Sequence, residues 1–120
     1  MVLVDTSVWI DHLRNNNAAL RGLLLDGRVI CHEFIIGELA CGNLKNRKEI
    51  LSLLGEMPRA TSSDHEEVLS FLESHRLYGK GIGWIDAHLL VSTKLSYAKI
   101  WTTDKKLAAL SHAHEIAFSS

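Results

Sequence analysis

The sequence has no excess of basic residues, since its 13 lysines and arginines stand against 14 aspartates and glutamates, for a formal net charge of −1. This balance excludes a polybasic nucleic-acid-binding protein and equally a polyacidic or membrane-surface protein. Hydrophobic residues make up 47% of the chain, which is too many for a disordered protein. The length of 120 residues predicts a single folded domain, 1–120.

Cysteine is also scarce, and Cys31 and Cys41 are too few for a disulfide framework. Both have apolar neighbours, which predicts buried free thiols in a reducing compartment. No apolar run approaches the roughly 18 residues of a membrane span. The start MVLVDTS lacks the charge pattern of a signal peptide. These absences predict a soluble cytoplasmic protein that does not associate with a membrane.

Short apolar segments alternate with helical patterns along the chain, and no linker or internal repeat interrupts them. The alternation predicts an α/β fold, a three-layer sandwich in which helices cover a short parallel sheet of four to five strands. Strands are expected at 2–4, 28–31 and 99–102, with weaker patterns at 59–61 and 116–118. Helices are expected at 6–14, 18–25, 32–41, 47–57, 63–75, 84–95 and 104–110.

Residue patterns at the helix starts add detail to this prediction. Thr6 or Ser7 can cap the first helix, and Ser63 with Glu66 three residues later resembles a capping box. The helix at 84–95 is apolar on nearly every side, which predicts a central position.

Four acidic residues occur where predicted strands end or in the helices that follow them. Asp5 comes directly after the first strand, and Asp104 comes two residues after Thr102. Glu38 lies among apolar residues of the third helix, and Asp86 lies in the first turn of the apolar helix. Ligands of an open parallel sheet bind at the carboxyl ends of its strands. We therefore expect the four acids at one edge of the sheet.

Three of these acids also have a purely structural interpretation. Asp5 and Asp104 are preferred N-cap residues, and Asp86 in a first turn suits the helix dipole. Glu38 must either face water or have a partner, because an unpaired buried charge is costly.

Carboxylates that converge repel one another, and a hard divalent cation such as Mg²⁺ or Mn²⁺ relieves the repulsion. Ions held in this way activate water for attack on a phosphodiester, and the products carry a 5′-phosphate and a 3′-hydroxyl. The hydroxyls of Ser7 and Thr102 could orient metal-bound waters, although capping and strand-end hydrogen bonds are equally good interpretations of both.

Four strings occur in an order that resembles the motifs of the PIN-domain family, especially its VapC-type toxins: VDTSVWIDHL (4–13), GELACG (37–42), GIGWIDAHLL (81–90) and WTTDKKL (101–107). The resemblance implies a Mg²⁺-dependent endoribonuclease in which Mn²⁺ can substitute. It implies a homodimer, and a cognate antitoxin that places a basic side chain at the acidic site. By the same resemblance the catalytic and metal-binding acids are Asp5, Glu38, Asp86 and Asp104.

Basic and aromatic residues near the acids are candidates for RNA contacts. Lys80 lies in the glycine-rich turn 78–83, and Lys105 and Lys106 directly follow the last acid, so all three could meet RNA phosphates. Trp84 could stack on a base, but core packing is the favoured interpretation.

Two other functions remain open from the sequence. A nuclease-inactive PIN-like module that binds RNA or protein would be expected to lose at least one acid, and none is missing. A phosphoryl-transfer protein would use Asp5 as nucleophile or phosphoacceptor. A dehalogenase-like phosphatase has a second aspartate two residues later, where this chain has Ser7.

Overall fold

A parallel sheet of three strands forms the centre of the protein. The computed structural model describes residues 1–119. The strands are β1 (Val2–Val4), β2 (Val29–Ile30) and β3 (Lys99–Trp101), and their order in the sheet is β2-β1-β3. β1 is the middle strand and pairs in parallel with both neighbours. The predicted α/β class and parallel sheet are therefore confirmed.

The two weaker strand patterns contribute less than the sequence predicts. The segment after Pro58 forms one parallel bridge, between Arg59 and Cys31, and the C-terminal segment forms one between Ala117 and Ile100. Each segment pairs at a single residue, so the described part of the chain has three strands instead of four or five. Both bridges extend the sheet at its outer edges.

Helices cover the sheet on both faces, and their bounds follow the hydrophobic pattern closely. No helix in residues 1–119 is long and apolar enough to cross a membrane. The last helix runs three residues further than predicted, and the others agree with prediction to within two residues at each end. They are α1 (Thr6–Asn15), α2 (Ala18–Leu25), α3 (Glu33–Cys41), α4 (Arg47–Glu56), α5 (His65–Ser74), α6 (Trp84–Leu95) and α7 (Lys105–Ala113).

The capping box of α5 lies one residue later than the sequence predicts. Asp64 accepts a hydrogen bond from the Glu67 amide at 2.7 Å, and the Glu67 carboxylate accepts one from the Asp64 amide at 3.0 Å. The predicted pair of Ser63 and Glu66 was wrong, because the Ser63 hydroxyl is directed inward to His88 at 3.2 Å.

The prediction of a central α6 is confirmed, because its residues 87–93 are all buried. Leu89 and Leu90 pack in the same core as Leu3 of β1 and Ile100 of β3, and all four are at most 2% exposed. Each such side chain contributes about 2 kcal/mol through burial. This core holds the carboxyl ends of β1 and β3 next to the first turn of α6.

The prediction of two buried thiols is correct for Cys31 and wrong for Cys41. Burial raises the pKa of the Cys31 thiol to about 11, so this group stays protonated. Cys41 is exposed because it is the last residue of α3, where the helix leaves the protein body before its cap residue Gly42.

Candidate active site

Asp5 lies at the carboxyl end of β1 and is only 8% exposed. Its Oδ1 accepts a hydrogen bond from the Thr6 amide at 2.8 Å, so Asp5 caps α1. This confirms the structural interpretation of Asp5, whereas the alternative prediction of a cap at Thr6 or Ser7 was wrong. Its Oδ2 accepts hydrogen bonds from Thr102 Oγ1 at 2.7 Å and from Ser7 Oγ at 3.2 Å. These three bonds hold the carboxylate in one orientation, and they place both predicted supporting hydroxyls against it.

The segment after β3 is tied to the start of α1 by the same hydroxyls. Thr102 Oγ1 accepts from the Asp104 amide at 3.0 Å, and Ser7 Oγ accepts from the Thr103 amide at 3.2 Å. Asp104 Oδ1 accepts from the Leu107 amide at 2.8 Å and so caps α7. Asp104 is exposed, and the hydroxyls of Thr102 and Ser7 connect its segment to the Asp5 carboxylate.

Glu38 on α3 is connected to this group by Thr6, a residue whose role at the site the sequence did not indicate. Thr6 Oγ1 donates to Glu38 Oε1 at 3.3 Å. In the sequence, the one feature that could have indicated this role is that Thr6 directly follows Asp5 at the end of a strand. Partial desolvation raises the pKa of Glu38, the Thr6 bond lowers it, and the negative charge of Asp5 raises it.

Asp86 lies close enough to the three other acids for their charges to act on it. Burial raises the pKa of Asp86 to about 6, and the negative charges of the three other acids, Asp5, Asp104 and Glu38, contribute to the rise. Asp86 therefore lies within the electric field of all of them. The charges that raise the pKa of Asp86 are thus all negative.

The donor set fits a hard cation, although the carboxylates are spread apart. In residues 1–119 no three histidine, cysteine, aspartate or glutamate side chains converge closely enough to hold one ion by themselves. Mg²⁺ usually binds through one or two carboxylates and keeps several of its waters. A spread group of four oxygen donors under mutual repulsion is compatible with such a hydrated ion.

A buried chain of hydrogen bonds connects α3, which carries Glu38, to α6, which carries Asp86. His32 caps α3, because its Nδ1 accepts from the Phe34 amide at 2.9 Å. Its Nε2 lies 3.2 Å from Ser92 Oγ, which lies 3.3 Å from Ser63 Oγ. Ser63 Oγ in turn lies 3.2 Å from Nδ1 of His88 on α6.

The cap that His32 makes on α3 also determines which groups donate and which accept along this chain of hydrogen bonds. Because Nδ1 of His32 accepts a hydrogen bond, the neutral ring carries its proton on Nε2 and donates to Ser92. The two serine hydroxyls can then each donate onward, and Nδ1 of His88 is the final acceptor. Burial lowers the pKa of both His32 and His88, so both rings favour the neutral state that the chain requires.

The pH dependence of stability tests this assignment. An unfolded histidine takes up a proton near pH 6.5, whereas protonation of folded His32 at Nδ1 would break the cap of α3. The unfolded state therefore binds more protons, and His32 makes the free energy of unfolding fall as the pH drops below about 6.5.

Urea titrations between pH 7.5 and 5 measure how the free energy of unfolding declines as the pH drops. His32→Asn should weaken this decline, because asparagine can still cap the helix but does not titrate. His112→Asn changes an exposed residue of α7 and serves as the control. An unchanged pH slope in His32→Asn would contradict the assignment.

Trp84 is 39% exposed, so the prediction that it packs in the core was wrong. It is the first residue of α6, before the helix enters the interior. Its ring centroid lies 5.1 Å from that of His65 and 4.7 Å from that of His88, and His88 lies 5.0 Å from Phe34. Phe34 is one helical turn before Glu38 on α3. The aromatic rings therefore connect α3 and α6, the helices that carry Glu38 and Asp86.

The predicted lysines lie on the exposed surface around the acids. Lys80 is exposed in the glycine-rich turn, and Lys105 and Lys106 are the exposed first residues of α7. The ammonium group of Lys106 reaches back to Gly81 in that turn. The three lysines thus flank Asp104 and the segment that leads into Asp86.

A cavity of about 480 Å³ opens beside Glu38, between α1, the end of α3 and the start of α4. Its floor is apolar and includes Leu13 and Ile50, and Arg14 and Lys45 also line it. A smaller apolar cavity of about 210 Å³ shares Leu13 and Ile50 with it. The two cavities therefore adjoin at these residues, and the larger one also adjoins Glu38.

Comparison with known proteins relates this site to a family. The family model described as the PIN domain matches residues 2–113. The chain is 46% identical over 110 residues to Ribonuclease VapC32 of Mycobacterium tuberculosis strain CDC 1551 / Oshkosh. It has the same identity to Ribonuclease VapC32 of strain ATCC 25618 / H37Rv. In both cases the alignment covers 91% of this chain and 89% of the relative.

Proposed function

Since the chain belongs to the PIN-domain family, we propose that it is a Mg²⁺-dependent endoribonuclease toxin of a toxin–antitoxin pair, with Mn²⁺ able to replace Mg²⁺. The observation that carries the proposal is Asp86, whose pKa is raised by burial and by three further carboxylates from three other elements of the fold. Support also comes from the ribonuclease name of its VapC32 relatives.

Four carboxylates would hold the hydrated ion, in part through its waters: Asp5, Glu38, Asp86 and Asp104. When bound, Mg²⁺ supplies acidification of a water molecule and stabilisation of negative charge on the phosphodiester. Three hydrogen bonds already hold the orientation of the Asp5 carboxylate, so this group needs little reorganisation when an ion and RNA bind. Thr102 joins the backbone of Asp104 to the Asp5 carboxylate, and Thr6 donates a hydrogen bond to Glu38.

The proposed function carries further expectations about partners. RNA is the substrate, and Lys80, Lys105 and Lys106 contact its phosphates. A cognate antitoxin binds in the cavity beside Glu38 and directs a basic side chain at the four acids. The protein is a homodimer and acts in the cytoplasm.

A nuclease-inactive module that binds RNA or protein is the second candidate. It is favoured by one observation, that no three potential ligands in residues 1–119 converge on a single point. Such a module would bind RNA without Mn²⁺ and would show no saturable Mn²⁺ binding in calorimetry. The proposed nuclease requires both Mn²⁺ binding and cleavage.

Metal removal tests the proposal. End-labelled single-stranded RNA should be cleaved with Mg²⁺ or Mn²⁺, and EDTA should slow the cleavage by roughly 100-fold or more, because the activated water is lost. The products should carry a 5′-phosphate and a 3′-hydroxyl. An RNA with a 2′-deoxy group at the scissile nucleotide should still be cut, since water is the nucleophile.

Cleavage that is equally fast in EDTA, or that produces cyclic phosphate ends, would refute the metal mechanism. Loss of cleavage at the 2′-deoxy position would refute attack by water.

A further inference from the structure

Lys106 contacts the glycine-rich turn in an unusual way. Its Nζ lies 2.6 Å from the point that a Cβ atom on Gly81 would occupy, and its Cε and Cδ lie 3.3 and 3.4 Å from that point. The end of the lysine side chain therefore lies along the bare face of the glycine. Gly81 has a φ of +82°, in the left-handed region that favours glycine. A side chain at position 81 would displace the ammonium group.

Helix stability does not explain a lysine at this position. Lys106 is the second residue of α7, and a positive charge in the first turn opposes the helix dipole. A cation that is unfavourably placed for its helix and lies against the turn of another segment indicates a role outside α7.

The contact of Lys106 with Gly81 also places the ammonium group at the edge of the acidic site. Lys106 lies two residues after Asp104, and Gly81 lies five residues before Asp86, so their contact joins the two segments that carry these acids. A cation at this position can contact a ligand that binds at the edge of the site.

We propose that Lys106, whose side chain lies against Gly81, binds a phosphate of the RNA backbone next to the scissile phosphate and so positions the substrate over the acids. This inference rests on the proposed function and separates Lys106 from Lys80 and Lys105. Those two lysines are exposed and add general attraction for RNA. The hydrogen bond from the Lys106 ammonium group to a phosphate would be charge-assisted, which makes it stronger than a neutral one.

Kinetics and binding of four variants test the role of Lys106. Lys106→Met should raise KM roughly tenfold, equivalent to about 1.4 kcal/mol, with a smaller effect on kcat. Gly81→Ala should act in the same direction, because it keeps the lysine but displaces its ammonium group. The double variant should be no worse than Lys106→Met alone, since both changes remove one contact. Lys48→Met is the matched control, because Lys48 is the exposed second residue of α4.

RNA binding is measured separately from cleavage, with Asp5→Asn as background and Ca²⁺ in the buffer. In this background Lys106→Met should weaken binding, and should reduce the slope of log K against log salt by about 0.7, the value for one phosphate contact on a single strand. A merely structural lysine would leave this slope unchanged.

Three outcomes would overturn the inference. The first is an unchanged KM and salt slope in Lys106→Met. The second is an equal effect of Lys48→Met. The third is additive losses in the double variant, which would mean that Gly81→Ala acts through backbone strain. If the wild-type protein does not cleave RNA but its binding depends on Lys106, the nuclease proposal fails and only the phosphate contact of Lys106 stands.

Discussion

Replacing Asp86 by asparagine should abolish RNA cleavage and, at the same time, raise the melting temperature of the metal-free protein. The raised pKa of about 6 means that the folded protein holds the Asp86 proton more tightly than the unfolded chain. Between about pH 4 and 6 the folded state therefore binds more protons, and its stability falls as the pH rises through this window. At pH 7 the charged carboxylate lowers stability by on the order of 1 kcal/mol after solvent screening.

Asparagine removes this charge with almost no change in shape. The gain should therefore appear as several degrees in the melting temperature at pH 7. The stability difference between wild type and Asp86→Asn should grow from pH 4 to 6 and stay constant above pH 7. Mn²⁺ should raise the melting temperature of the wild type more than that of the variant, because only the wild type has all four carboxylates.

The control is Asp26→Asn, an exposed aspartate that follows α2, for which we expect a change within about 0.5 kcal/mol. A lower melting temperature of metal-free Asp86→Asn would contradict the repulsion inferred for the site. Full cleavage activity in this variant would contradict the proposed function.

Asp5→Asn should also slow cleavage, by roughly 1,000-fold or more. Unlike Asp86→Asn, however, it should lower the free energy of unfolding. The Asp5 carboxylate accepts three hydrogen bonds. An amide in its place turns an NH₂ group toward the hydroxyls of Thr102 and Ser7, which then lose their acceptor. The loss of one such bond costs about 1 kcal/mol.

Asp86→Asn and Asp5→Asn should therefore be compared directly. RNA cleavage measures the activity of each variant, and urea unfolding at pH 7 without metal measures its stability. Both remove one charge from the acidic cluster, yet Asp86→Asn should stabilise the protein and Asp5→Asn should destabilise it. Equal shifts in the same direction would show that the hydrogen bonds of Asp5 do not set the energetics of the site. Asp26→Asn again provides the baseline.

The sequence predicted the elements of the fold well, because hydrophobic periodicity is a local property. The bounds of α2 and α6 agree with the prediction, and β1 was located by three apolar residues before Asp5. The errors arose where contacts distant in sequence compete with local rules. Ser63 does not cap α5, since its hydroxyl serves the buried chain to His88. Trp84 remains exposed because the helix enters the core only after its first turn.

The sequence by itself determined the order of strands and helices and which four acids stand at strand ends and in the following helices. Only the tertiary structure decided that Thr6 restrains Glu38 and that Thr102 joins Asp5 to Asp104. It also decided that the ammonium group of Lys106 lies against Gly81. Local pattern determines the elements, whereas these contacts join residues up to 97 positions apart. Such contacts exist only once the elements have packed around a common core.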